Sequence, residues 1–253
     1  MMSGSEDEKK LLLGMDIDWW HAWGKKVPIY VDMGMKANKH ILLAGFSGSG
    51  KSSATLRIVG YIKQIVPNAE IYFADFKQED DFQFLSCCKN YFPYDRTLEA
   101  LKIVYDRMNA RQARLDLSRN LIVLCFDEFF ANILSIQGKD KKLANRVLDQ
   151  VGEILMLGRS LNIQFICSVQ RPDAEVFKHG SRINYGIIIL LGKNHQSVYE
   201  MVLSKEFIDQ IGDRTFEVGE GVVLLQGAKL YFIKTPMIRD RAKLEAVCIK
   251  ALS

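Results

Sequence analysis

Gly45, Gly50, Lys51 and Ser52 stand in the stretch GFSGSGKSS at the spacing G-x-x-x-x-G-K-[S/T]. This is the spacing of a phosphate cradle. Its glycines let backbone N–H groups curl around phosphate oxygens, and a following helix N-terminus adds a favourable dipole. All of Gly45, Phe46, Ser47, Gly48, Ser49, Gly50, Lys51, Ser52 and Ser53 would line such a loop. Lys51 would reach the β- and γ-phosphates of a nucleoside triphosphate, and the Ser52 hydroxyl would ligate Mg²⁺. A second candidate lies in LIVLCFDE, an apolar run that ends on Asp127 and Glu128. Carboxylates there suit a phosphate-bound metal: Asp127 would hold the metal shell, and Glu128 would act as general base toward water. Together the two motifs point to nucleoside triphosphate hydrolysis, with ATP and Mg²⁺ as the implied ligands.

Weaker signals surround these two. Gln170 in SVQRP can face a γ-phosphate or the lytic water, or simply mark a strand stopped by Pro172. Arg171 beside it can sense phosphate or close a subunit contact. Arg159 in LGRS suits a helix C-terminus as a cation and equally suits a neighbouring subunit's nucleotide. Asp75 and Lys77 in FADFK read as solvated charges. Arg107, Arg111, Arg114 and Arg119 read as a solvated helix face, with a phosphate-tracking surface as the alternative. The polar basic stretches GKNHQSV and QGKDKK are candidate pore loops.

These residues need elements to position them. HILLAG, EIYFADF, NLIVLCFDE, NIQFICSVQRP and YGIIILLG read as buried strands. Helical spacing marks KSSATLRIVGYIKQIV through Leu56, Val59, Ile62 or Lys63, and Val66, with Pro67 and Asn68 ending it. Leu98, Leu101, Val104, Tyr105 and Met108 mark a second helix, and KKLANRVLDQVGEILMLGRSL a third. GVVLLQGAKLYFIKTP predicts a closing hairpin turning at Gln226–Gly227. Strands alternating with helices predict an α/β fold, a mostly parallel sheet flanked by helices, with ligands beyond the strands' carboxyl ends.

Bulk properties set the frame. A chain of 253 residues makes roughly one to two domains. The formal net charge of +4 permits a nucleic-acid partner without requiring one. Five cysteines without Cys-x-x-Cys spacing argue against zinc and fit a reduced cytoplasmic protein. No apolar run approaches the ~18 residues of a membrane span, so any membrane recruitment is expected through a partner. Residues 1–10 read as a disordered tail. The three tryptophans of WWHAW read as packed onto the main body, with a partner or base-stacking surface as the alternative.

The order of these motifs resembles the FtsK/SpoIIIE family of DNA-pumping ATPases, over residues 27 to 240. HILLAGFSGSGKS is similar to that family's phosphate-loop segment, FADFK to its Asp-Pro-Lys element, ALKIVYDRMNAR to its arginine-ending helix, LCFDEF to its Walker B strand, and LGRSLNIQFICSVQRP to its Gln-Arg-Pro segment. Two positions depart from the pattern: Val169 replaces a threonine and Phe76 a proline. The resemblance implies a RecA-like P-loop NTPase motor over 27–253, preceded by a tail and lead-in over 1–26. It implies that Lys51 and Ser52 bind nucleotide and metal, that Asp127 and Glu128 form the Walker B pair, that Gln170 senses nucleotide, and that Arg159 acts across subunits. It implies a ring, a homo-hexamer, translocating double-stranded DNA. Without membrane segments, a long linker or a winged-helix module, it would be a minimal stand-alone form, associated with plasmids, conjugative elements and phages. Two rival functions carry the same motifs: a secretion or coupling ATPase whose substrate is protein, and a scaffold that binds nucleotide to assemble.

Overall fold

The structure, a computed structural model, describes residues 9–34, 39–173 and 182–253. The parallel strands are β3 (Ile41–Ala44), β4 (Glu70–Asp75), β5 (Tyr91–Pro93), β6 (Ile122–Asp127), β7 (Ile163–Val169) and β8 (Ile187–Leu191). The antiparallel strands are β1 (Lys10–Asp16), β2 (Pro28–Asp32), β9 (Glu220–Leu225) and β10 (Lys229–Lys234). All belong to one ten-stranded sheet in the order β2-β1-β10-β9-β8-β3-β7-β6-β4-β5. The half from β8 to β5 is parallel, and the half from β9 to β2 is an antiparallel wing.

The parallel strands are buried and mostly apolar because helices cover both faces. On β3, Leu42 and Ala44 point into one core while Ile41 and Leu43 point into the other. The first core holds α3 (Thr97–Gln112), α4 (Phe129–Gln137), α5 (Lys141–Leu161), α6 (Gln196–Val202) and α7 (Lys205–Ile211). The second holds α2 (Lys51–Ile65) and α8 (Arg241–Leu252). The limits of α5 match the predicted helix. Asp140 caps its start by accepting from the Lys142 and Leu143 amides, and Asn162 ends it at φ 56°. The hairpin turns as predicted, with Gln226 and Gly227 at φ 52° and 65°.

The N-terminal lead-in contains a strand that the sequence reading did not place. β1 pairs with both β10 and β2, and its Leu11 and Leu13 are buried. Gly14 interrupts its alternation where the register shifts, which hides a strand from periodicity. Of the residues read as a tail, Lys10 begins this strand; residues 1–8 lie outside the described residues. Of the three tryptophans, Trp20 is partly buried against the body, and Trp19 and Trp23 are not packed onto it. In α1 (Ile17–Trp23) only Ile17 is buried, while Trp19 and Trp23 are 47% and 70% exposed. Trp20 lies under the ammonium groups of Lys26 and Lys234. No helix among the described residues is long and apolar enough to cross a membrane.

Candidate nucleotide site at the carboxyl edge of the sheet

Strand register brings the predicted residues into one row. Ala44 of β3 is level with Val169 of β7, Ser168 with Asp127 of β6, and Asp127 with Asp75 of β4. One residue beyond these ends stand Gly45, Gln170, Glu128 and Phe76. The Gly45 amide donates to the Val169 carbonyl at 3.3 Å, which ties the glycine loop to the Gln170 strand.

The loop from Gly45 to Gly50 leads directly into α2. Gly48 and Gly50 hold φ of 79° and 97°, conformations that side chains resist. No side chain caps α2, so its first-turn N–H groups stay available to an anion. A cavity of about 290 Å³ opens there, lined by Ser47, Gly48, Lys51, Ser52, Ser53 and Glu79 among others. A second, of about 540 Å³, lies on the other side of Ser47 and Gly48 and reaches Phe46, Lys193, Phe216 and Val218. The stretch read as a pore loop therefore begins at the phosphate loop: Gly192 and Lys193 line this cavity, and the His195 ring meets Phe46 edge-on.

Glu128 is the most constrained member of the row. It caps α4 at φ 54°, a costly conformation for a residue with a side chain, and it is buried. Lys51 Nζ lies 3.8 Å from its Oε1, and Lys77 Nζ lies 3.2 Å from its Oε2. Oε1 is buried without a hydrogen bond. Lys77 therefore meets the site while remaining exposed to solvent. Asp75, by contrast, is not a solvated charge. It is fully buried and accepts from the Tyr91 hydroxyl at 2.7 Å and the Gln78 amide at 2.8 Å.

Glu79 is a member that the sequence reading missed. It accepts from the Ser52 hydroxyl at 3.1 Å. Oxygens of Glu79, Asp127 and Glu128 lie within 4.8 Å of one another. Burial pushes the Asp127 carboxyl up to about 8, and the charges of Glu128, Glu79 and Asp75 add to the effect. Hard oxygen donors, two of them buried and crowded by like charge, form a donor set that fits Mg²⁺ together with Ser52. The only signal for Glu79 in the sequence was its place four residues beyond a strand end.

The remaining predicted residues separate from this site. Arg159 is exposed in the last turn of α5, just before β7 begins. The length of β7, about 20 Å at ~3.3 Å per residue, lies between it and the row. It therefore does not meet its own chain's phosphate loop. Arg171 pairs with Asp173 at 3.1 Å. Arg107 and Arg111 are not a solvated or phosphate-tracking face. Arg107 Nη1 pairs with Glu70 at 2.9 Å and Nε with Asp116 at 3.0 Å. Buried Arg111 donates to the Leu161 carbonyl at 2.7 Å, to Asn120 and to Asp116.

Known proteins share this fold. No protein-family model matches the chain. Its sequence is 25% identical over 205 residues to the FtsK domain-containing protein YdcQ of Bacillus subtilis (strain 168), covering 73% of this chain and 42% of YdcQ. The chain thus spans less than half the length of that relative. Its structure is similar to the pCW3 conjugation coupling protein TcpA in its monomer form with ATPgS. The TM-score is 0.72 at 21% identity, covering 97% of this chain and 71% of TcpA. The fold is one shared with P-loop ATPases. The cytoplasmic domain of the Thermomonospora curvata Type VII secretion ATPase EccC has a similar fold, with a TM-score of 0.69 at 19% identity over 99% of this chain and 31% of EccC. The genome packaging NTPase B204 of Sulfolobus turreted icosahedral virus 2 has a TM-score of 0.53 at 14% identity, covering 81% of this chain and all of B204.

Proposed function

We propose that this FtsK-type chain is an ATP-hydrolysing motor that assembles as a homo-hexameric ring and moves double-stranded DNA. Its proposed setting is the cytoplasm, in transfer of plasmid, conjugative-element or phage DNA. The observation that carries the hydrolysis is the row of Gly45, Gln170 and Glu128 beside Lys51, with the cavity in front of it. The DNA substrate is supported by the likeness to TcpA, a conjugation coupling protein, along 97% of this chain.

In this reading the α2 N-terminus and Lys51 hold the β- and γ-phosphates. Ser52 and Asp127, with Glu79 beside them, would hold Mg²⁺, which supplies charge neutralisation on the phosphates. Lys51 turns to the phosphates, and Glu128 keeps Lys77 on one oxygen while the other faces the site. That free oxygen takes a proton from water as the water attacks the γ-phosphorus, and the bond to the β-phosphate oxygen breaks. Gln170, between Gly45 and Glu128, orients that water. The nucleoside occupies the larger cavity against Phe216 and Val218.

The test is the steady-state ATPase rate with and without long linear double-stranded DNA, with Lys51→Ala as the blank. The expected outcome is a several-fold stimulation that fades with salt, because backbone contacts release counterions. Arg159→Ala is expected to keep nucleotide binding and lose turnover, restored in mixed rings with Glu128→Gln. The likeness to EccC over 99% of the chain favours a second reading, a secretion ATPase with a protein substrate. A Lys51-dependent rate that ignores DNA and rises with a partner protein would establish it instead.

A further inference from the structure

Arg57, on the second turn of α2, is buried at 7% exposure and has no ion pair among the described residues. Its Nη1 donates to the Pro236 carbonyl at 3.2 Å, and the Tyr61 ring lies 6.0 Å from the guanidinium. A guanidinium carries five N–H donors, and one neutral carbonyl does not match its charge. Buried cations are ordinarily paired with an anion. Burial draws this one down to about 10.

Arg57 lines a cavity of about 330 Å³ between α2, α8 and the segment after β10. Arg239 and Lys243, both exposed, stand on the same cavity. Its one carboxylate, Asp240, is already engaged as the cap of α8, accepting from the Lys243 amide at 2.9 Å. Three cations therefore surround a concave space that holds one carboxylate among the described residues, an excess of positive charge. A planar guanidinium at the floor, with long cationic side chains at the rim, suits a phosphoryl group held at several oxygens.

We propose that this cavity is a second anion site, built on Arg57, for a small phosphate-bearing ligand. It is separate from the phosphate loop but joined to it by hydrogen bonds. Arg57 holds Pro236, the adjacent Thr235 amide donates to the Gly219 carbonyl at 2.7 Å, and the Gly219 amide donates to the Ser49 carbonyl at 3.0 Å. A ligand that draws Arg57 away from Pro236 would therefore act on the loop that binds nucleotide.

The test uses pyrophosphate as probe on the Lys51→Ala protein, which weakens binding at the phosphate loop. The thermal midpoint is followed against pyrophosphate concentration, with sodium chloride of equal ionic strength as reference. A saturable rise in midpoint is expected. Adding Arg57→Met should weaken pyrophosphate roughly tenfold or more, as loss of hydrogen bonds to a charged group does, and Arg57→Lys should restore part of it. The exposed pair Arg239→Ser and Lys243→Ser should weaken it several-fold with the unligated midpoint unchanged, which gives an answer even where Arg57→Met does not fold. A rise no larger than that with chloride, or an affinity indifferent to both Arg57 and the rim, overturns the site.

Discussion

The two edges of the parallel sheet treat charge in opposite ways. At the amino edge, Glu70, Arg107, Arg111, Asp116 and Asn120 form a network in which each charge meets its opposite. That network ties α3 to the starts of β4, β6 and β7. At the carboxyl edge, Asp75, Asp127, Glu128 and Glu79 crowd together, and Glu128 sits in a left-handed backbone conformation. One edge is built to be complete within the chain. The other is left short of positive charge, which a metal-bound nucleotide would supply. Where strands all run one way, as they do from β8 to β5, that division assigns stability to one end and chemistry to the other.

The largest effect should come from the unfinished edge. Glu128→Gln is expected to lower turnover by about 10²–10⁴-fold while nucleotide affinity stays within a few-fold. Some denaturant stability should be lost as well, because Lys51 and Lys77 lose their carboxylate partner. Single-turnover rates with equilibrium nucleotide binding check this; a parallel loss of binding would mean that Glu128 is structural.

The finished edge predicts the reverse. Arg111→Met should cost on the order of a few kcal/mol, since the Leu161 and Asn120 carbonyls lose their donor and Asp116 keeps only Arg107. Turnover per folded molecule should stay near the parent value. Urea unfolding alongside active-site titration separates the two, and an unchanged midpoint would break the comparison.

A smaller difference lies in pH. Arginine and hydrogen-bond partners hold the Glu70 carboxyl below its ordinary value, overcoming burial. Its contribution to stability is present above the unfolded carboxylate range and is lost as pH falls below about 4. Asp127 runs the other way. With its carboxyl raised to about 8, the native state holds a proton that the unfolded state has released. Stability should therefore decline as pH rises from about 4 to about 8, by on the order of a few kcal/mol. Asp127→Asn should remove that decline and leave the acid limb intact. Mg²⁺ with nucleotide should also flatten it, and unfolding midpoints across this pH range provide the check.

The smallest effect is expected at an exposed ion pair outside both edges. Lys102 and Asp106 are joined on the surface of α3, and Lys102→Ala should change stability by less than about 0.5 kcal/mol. A larger change would mean that surface pairing, and not the buried network, holds α3.

Much of this protein was legible as local pattern. GFSGSGKSS, LCFDE and SVQRP each specify the loop at the end of a strand, because loop chemistry there depends on neighbours in sequence. The limits of α5 and the Gln226–Gly227 turn were likewise local, set by a capping aspartate, an amphipathic face and two residues tolerant of positive φ. β1 was not legible, since Gly14 breaks its alternation and its pairing of Met15 with Lys234 joins opposite ends of the chain. Tertiary structure alone decided that Lys77 meets Glu128, that Glu79 joins Ser52, that Arg111 is buried, that Trp19 and Trp23 are not, and that Arg159 stands away from its own nucleotide loop. Charge pairing depends on which strand ends share an edge, and the crossovers that set that order leave no trace in the spacing of any one segment.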